Sequence, residues 1–418
     1  MHAPGASAAA RERSAAHPAS AKSRARHRGA SRLFDVGEAS RLRRHYLVVV
    51  KRSTDLSRLR ALGQMGLAQE LFIPALLEEL HHVIPSARNL FDWADASGRL
   101  LHYYFEGPID PAINERYFAE FHNRLEADVM PPFRESLRAA GSVRRASDLD
   151  NAAFYRSALY NEIWRPQHLH SRIEAVVRDR RGLALGSLVL YRGPHDRSFT
   201  PLDEALLAQA LPYIARGLEL GSAAGEEVEF SLRHGRSATL LLGADGEIES
   251  LSSDALKLLL LAHGGVTPEA ASRRPRREDF ASLTTLCSQL DCAAGSGTTR
   301  SARLAVRNAW GRFVFEASPL RPVGRRAQTS ICVTITHQEA RALALRRVVR
   351  RLGLTPAQER VCLLLHQGRA PAEIACEIGV AASTVADHVR KIYARLDVHS
   401  ARELDAVIER LLDAPEPT

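Results

Sequence analysis

Residues 354–408 read LTPAQERVCLLLHQGRAPAEIACEIGVAASTVADHVRKIYARLDVHSARELDAVI, and this stretch decides the fold of the C-terminal part of the chain. It sets out four short helices. Thr355-Pro356-Ala357-Gln358 predicts the start of the first: a hydroxyl to accept from an orphan amide, a glutamine to reach back to the cap, and proline where no amide is needed. Val361, Leu364 and Leu365 form its apolar side, and Gly368 stops it. The second begins near Pro371, buries Ile374 and Ile378, and breaks at Gly379. The third covers 382–396. At about 100° per residue, Val385, Val389, Ile392 and Leu396 share one side. Ser383, Asp387, Arg390 and Ala394 take the opposite side, flanked by Thr384 and Lys391 on one edge and Ala386 on the other. Such a small, polar and basic face fits a major groove, where base edges present distinct donor and acceptor patterns. The fourth helix starts at Ser400, with Glu403 three residues on as a second capping box. Its stripe of Leu404, Val407, Ile408 and Leu411 exceeds what one small core needs, so Leu404, Val407 and Leu411 are expected to form a homodimer seam.

The segment resembles the helix-turn-helix domain of the LuxR family of bacterial transcription regulators. The matching residues are Leu354-Thr355-Pro356, Gly368, Glu373-Ile374-Ala375, Gly379-Val380, Thr384-Val385 with His388, Ile392, Leu396, Val398 and Ser400. The resemblance covers about a seventh of the chain. It implies double-stranded DNA as partner, the third helix as recognition helix and the fourth as dimerisation helix. Ala381 stands where family members often carry a cap, a loss of about 1 kcal/mol. Ala386 stands where they often carry Lys or Arg. Asp397 replaces a Gly at a position expected to need positive φ. The family's Arg after Ser400 comes one place later, as Arg402. Within this frame Arg390 is the candidate guanine reader, since a guanidinium meets O6 and N7 with two bonds. Asp387 orients it or accepts from cytosine, and Ser383 shares the outer face. Thr384, Lys391 and Arg402 are candidate phosphate contacts.

The formal charge of +9 invites a nucleic-acid partner, but its distribution is uneven. Residues 1–60 hold 14 basic and 4 acidic side chains, leaving the remainder near neutral. Residues 1–45 lack the apolar content to offset ordering entropy and are expected to be a disordered basic arm. Met65 opens a well-patterned helix, and translation starting there is an alternative. Five cysteines without CxxC or zinc spacing, and no signal peptide, suit a reducing cytosol. Cys287 and Cys292 are close enough in sequence to consider a redox pair, which we rank below ordinary core roles. No apolar run approaches the roughly 20 residues that span a bilayer, so a cytoplasmic protein is expected.

The chain reads as α+β: mixed α/β sensory domains, then an all-α module of four helices. Over 67–220, strands at Asn89–Trp93, Leu100–Phe105, Ile173–Arg178 and Leu185–Tyr191 alternate with helices, and Thr200-Pro201 starts a closing helix. The segment GSLVLYRGPHDRSFTPLDEALLAQALPYIARGL resembles the end of GAF-type sensor domains. Over 229–336, two strands, helices and three strands resemble a PAS-type domain. A linker helix fills 337–352, and the helix-turn-helix domain 353–413. No internal repeat is evident.

No P-loop, GxSxG, HExxH or dinucleotide fingerprint is present, and no cofactor or enzymatic activity is expected. His81-His82 and His168-x-His170 lack a third ligand at metal spacing. Aromatic residues concentrate in the first sensory domain. Trp93, Tyr103, Phe105, Tyr155 and Trp164 are the candidate lining of a small-molecule pocket, against the plainer reading of an ordinary core. The sequence thus points to a signal-responsive, sequence-specific DNA-binding transcription regulator. The alternatives are a protein-interaction regulator with weak DNA binding and a quorum-sensing type of receptor.

Overall fold

Alternating apolar residues build two antiparallel sheets in this computed structural model. It describes residues 55–139, 141, 143–144, 148, 151–221, 228–243, 245–294, 301–320 and 330–414, with the side chains of 232–234 and 291–294 excepted. The basic arm 1–45 and the Cys292 side chain therefore lie outside the described residues.

The first sheet contains β1 (Arg88–Ala94), β2 (Leu100–Phe105), β3 (Val143–Arg144), β4 (Ser171–Arg178) and β5 (Ala184–Arg192), in the order β2-β1-β5-β4-β3. Asp95 closes the β1–β2 hairpin by accepting from the amides of Ser97 (2.8 Å) and Arg99 (3.0 Å). One sheet face carries Phe91, Ile173, Val177, Leu188 and Leu190. It joins a core with the helices Gln69–Val83 and Pro201–Gly221 and a helix over 55–62. A Cβ on Gly217 would lie 2.2 Å from the Phe72 ring, so these two helices approach as closely as they do only over a glycine. Leu59 and Leu62 are buried, and a chain beginning at Met65 would lack them. The closing helix is capped as expected: Asp203 N–H donates to Thr200 Oγ1 (3.3 Å), and Thr200 N–H to the Asp203 carboxylate (2.9 Å).

The other face carries Leu90, Asp92, Val189 and Tyr191 and is covered by residues 111–167. The sequence suggests ordinary helices here, and the structure differs. Short α-helical pieces (Pro111–Arg116, Phe133–Arg138, Ala152–Arg156) alternate with two π-helical turns, Tyr117–Phe121 and Leu159–Trp164. Pro131, Pro132 and Pro166 interrupt the hydrogen-bond ladder, and Asn123 (φ 56°) and His168 (φ 59°) reverse the chain direction. The two-residue strand β3 also escapes sequence reading, being too short to show a period.

The second sheet contains β6 (Phe230–Leu242), β7 (Ile248–Leu251), β8 (Ala302–Asn308), β9 (Gly311–Leu320) and β10 (Ser330–Ala340), in the order β7-β6-β10-β9-β8. Strand for strand this is the order of the first sheet, so a repeat invisible in the sequence exists in the topology. The units differ in what crosses between their second and third strands. Here it includes the fully buried helix Ala255–Ala262 and the helix Ala281–Ala294. β10 runs past its expected end because Ala340 still pairs with Phe230. The linker helix consequently spans Arg341–Arg351 rather than the expected 337–352.

The units meet at β2. Tyr103 N–H donates to Val266 O (3.0 Å), Trp310 packs on Trp93, His102 and Tyr104, and buried Lys257 lies over the Tyr104 ring and donates to Phe105 O. The C-terminal helices are Pro356–His366, Pro371–Ile378, Ala382–Leu396 and Ala401–Asp413. They share a separate core of Val361, Cys362, Ile374, Val385, Ile392, Leu404 and Ile408, to which the linker helix adds Ala344, Val348 and Val349. The whole is α+β.

Candidate nucleic-acid interface and ligand cavity

The first helix of the module carries the expected reciprocal cap. Thr355 Oγ1 accepts from Gln358 N–H (3.4 Å), and the Gln358 side chain accepts from Thr355 N–H (2.9 Å). Gly379 ends the second helix with φ 71°. Ala381 leaves the third helix without a side-chain cap, and Asp397 ends it in the left-handed region (φ 53°, ψ 49°). Val385 and Ile392 are fully buried, with Val389 and Leu396 beside them. Ser383, Thr384, Ala386, Arg390, Lys391 and Ala394 are exposed. Asp387 stands between two cations, pairing with the Arg390 guanidinium and, at 2.6 Å, with Lys391 Nζ. Hydrogen bonds from Lys391 and Arg390 hold its carboxyl below the usual range. Arg402 is exposed on the fourth helix, away from this cluster in sequence.

The fourth helix begins at the Ser400 cap, where Oγ accepts from Glu403 N–H (3.2 Å). In return the Glu403 carboxylate accepts from His399 N–H (2.9 Å), one residue earlier than in a standard box. The expected dimer seam needs a correction. Leu404 is fully buried inside its own chain, with Ile408 and Leu412, because the linker helix occupies the stripe that appears surplus in the module alone. Val407 is half-buried and Leu411 is 38% exposed. An ion pair from Arg341 to Glu409 reinforces the docking of the linker helix, and within the module His366 lies 3.0 Å from Asp405 and 3.3 Å from Glu409.

Sequence reading misses a further set of charges that binds the module to the first unit. Arg58 meets Glu359 at 2.6 Å through a forked contact, while Arg350 meets Glu79 at 2.7 Å. Arg347 bridges Glu78 (3.0 Å) and Glu339 (2.7 Å). The hydrogen bond that Arg58 donates to the Glu359 carboxylate raises the Arg58 pKa, and burial raises that of Glu79. The usable signal is the spacing of Arg346, Arg347 and Arg350, which puts cations on adjoining turns of the linker helix.

Between β1, β2 and the irregular segment lies a cavity of about 120 Å³. Of the five aromatic candidates, Tyr103, Phe105 and Trp164 line it. Trp93 does not, because strand alternation turns it to the opposite face, where Nε1 donates to Gln69 Oε1 (3.1 Å) and the ring stacks on His102. Tyr155 lies outside the lining as well, stacked on His170.

The same alternation brings in Asp92, Arg172 and Tyr191, and the irregular segment adds Tyr117 and Glu126; the charged members Asp92, Glu126 and Arg172 are the ones sequence reading passed over. Burial, then the nearby Glu174 carboxylate, push the Asp92 carboxyl well above its ordinary value. Burial also raises Glu126, whose carboxylate accepts from Asn123 N–H (2.7 Å) and Tyr117 O–H (3.0 Å). Arg172 lies 3.2 Å from Glu174 and over the Trp164 ring, yet its Nε has no acceptor among the described residues. Burial lowers His122 to about 4. Charged residues on an otherwise apolar strand, such as Asp92 in RNLFDWA and Arg172 with Glu174 in SRIEAVVR, were the available clue.

Residues 352–407 match the family described as "GerE: Bacterial regulatory proteins, luxR family". No curated protein matches the chain. Among solved structures, a Vibrio cholerae VqmA–ligand–DNA complex is 17% identical, over 45% of this chain and 87% of that one, with a TM-score of 0.21. The phycoerythrobilin-bound GAF domain of a cyanobacterial phytochrome is 13% identical, over 42% and 98%, with a TM-score of 0.28. The Escherichia coli DhaR(N)–DhaL complex is 13% identical, over 72% and 90%, with a TM-score of 0.20. With TM-scores this low, the fold assignment rests on the chain's own sheet topology.

Proposed function

From the premise that residues 352–407 are a regulatory domain of the luxR family, we propose that the chain is a signal-responsive, sequence-specific DNA-binding transcription regulator. The observation that carries this reading is the exposed face of helix Ala382–Leu396, with Arg390 and Lys391 projecting from it. In this reading the helix enters a major groove. Arg390 reads a base edge, oriented by Asp387, while Ser383, Thr384, Lys391 and Arg402 position the module on the backbone. The functional unit is a homodimer on two half-sites about one helical turn apart. With Leu404 committed to the core, Val407 and Leu411 remain as candidate contacts. The first unit's cavity receives the signal, and a ligand shifts the balance only through its differential affinity for two placements of the module. The charges joining Arg58 to Glu359 and Arg350 to Glu79 are the contacts that such a shift would exchange.

Selection from a random DNA library, with wild type and Arg390→Ala, tests the reading. A two-fold symmetric site that the variant loses or relaxes is the expected result. One observation favours a second reading, a protein-interaction module. Asp387 pairs with both nearby cations and cancels one of the two charges, and Ala386 offers none, so the face is only weakly basic. A flat salt dependence of DNA binding would select that reading, since phosphate contacts give a steep one.

A further inference from the structure

We propose that the cavity beneath β1 and β2 binds a small organic cation, an ammonium or amidinium on a body no larger than about a six-membered ring, with Asp92 as its counter-charge. The inference rests on the reading of the first unit as the sensor and names the chemistry of its signal.

Unmet bonding singles out Asp92. Asp92 is 9% exposed, lines the cavity and makes no side-chain hydrogen bond among the described residues. A buried carboxyl without a partner is costly, and in the empty site it is relieved by protonation. The other acids around it are already engaged. Glu126 is satisfied by Asn123, Tyr117 and, at 3.4 Å, Phe133 N–H. Glu174 is shared between Arg172 (3.2 Å) and Arg144 (3.7 Å) and accepts from Ser187 (3.1 Å).

The field in the cavity is the second consideration. With Asp92 protonated, Glu126 and Glu174 balance Arg172 and the more peripheral Arg144, so ionising Asp92 leaves one acid in excess for a cation to meet. The two neighbouring carboxylates raise the Asp92 pKa, and Arg172 lowers it. His122 is neutral near pH 7, and burial keeps the Tyr103, Tyr117 and Tyr191 hydroxyls protonated. An anion could accept from Arg172, whose Nε and Nη2 have no hydrogen-bond acceptor among the described residues, but that charge is already opposed by Glu174 and the anion would press against Asp92. A cation meets an unpaired carboxylate.

The walls complete the case. Tyr103, Phe105, Tyr117, Phe118, Trp164 and Tyr191 surround the space, and aromatic faces attract a desolvated cation. Two π-helical turns form part of the lining, an irregularity that frequently marks binding sites. The volume of about 120 Å³ suits a small body.

Binding has a proton balance. The ligand enters as its ammonium form, Asp92 becomes a carboxylate, and the Asp92 proton leaves to solvent. Affinity therefore rises with pH until Asp92 ionises in the empty protein. An anion would show the reverse.

The test is calorimetric titration of the full chain with cyclopentylamine, cyclopentanol and cyclopentanecarboxylate. The amine is expected to bind, at least tenfold more tightly than either relative and more tightly at pH 8 than at pH 6, with a proton released. Asp92→Asn is expected to cost the amine at least tenfold and to raise the melting temperature of the empty protein. A carboxylate that served only structure would lower it. Equal or stronger binding of the alcohol or the acid, an amine affinity independent of pH, or no binding of the amine overturns the proposal. The wild-type pH dependence decides the matter even where the variant does not fold. DNA binding measured on the same preparation separates the two readings. Amine binding without DNA affinity overturns only the regulator, and DNA affinity without amine binding overturns only the ligand class.

Discussion

Leu404→Ala separates a core leucine from a dimer-seam leucine. Leu404 is fully buried within one chain, among the linker helix and the other helices of the module, whereas Leu411, two turns on, is 38% exposed. The substitution removes three carbons. At about 0.8 kcal/mol for each, transfer alone accounts for about 2.4 kcal/mol, and the residual cavity brings the expected loss to roughly 2–5 kcal/mol. Leu411→Ala, which vacates partly wetted space, is expected to cost less than about 1 kcal/mol of module stability. Urea unfolding followed by far-UV circular dichroism, at protein concentrations spanning two orders of magnitude, reads both. A core residue lowers the midpoint of the C-terminal transition equally at every concentration. A seam residue produces a loss that depends on concentration, because association contributes by mass action. A Leu404→Ala protein with an unchanged midpoint in the monomer and weakened self-association would refute the placement of this helix against Arg341–Arg351.

Three further outcomes follow from local geometry. Ala381→Ser supplies the missing cap of helix Ala382–Leu396 and is expected to stabilise the module by about 1 kcal/mol, read as a rise in its urea midpoint. Asp387→Ala releases Arg390 and Lys391 from their shared partner; non-specific DNA affinity is expected to increase and its salt dependence to steepen, and an unchanged slope would show that neither cation reaches phosphate. The hydrogen bond from His81 to Glu106 (2.8 Å) raises the histidine's pKa in the folded protein. Its contribution to stability is therefore fully present below about pH 6.5 and is lost as pH rises through the raised value. Glu106→Gln is expected to flatten that part of the stability profile.

The C-terminal module was legible because each of its signals is local. The Thr355 cap, Gly379 and the Val385–Ile392 spacing act within a few residues and do not depend on the rest of the chain. Strand positions in the sensory region were legible for the same reason. What the sequence concealed was relational. Leu404 looks surplus until the linker helix is seen to cover it, and Trp93 looks like a pocket residue until β1 is paired and its alternation fixed. The pocket's chemistry lies in Asp92 and Arg172, charges set among apolar strand residues, which have no periodic signature and acquire meaning only from the partners around them. The shared strand order was hidden because topology constrains where apolar residues fall and leaves their identities free.

The joint at β2 bears on how this protein can be handled in pieces. Val266 occupies part of the outer edge of the first sheet, and Trp310 lies against Trp93, His102 and Tyr104. Cutting the chain after residue 221 would strip away both. An open strand edge beside a bare aromatic surface is a template for intermolecular pairing. The isolated N-terminal piece is thus expected to be sticky and to aggregate at concentrations the intact chain tolerates, and each sensory unit acts as the other's solubilising cover.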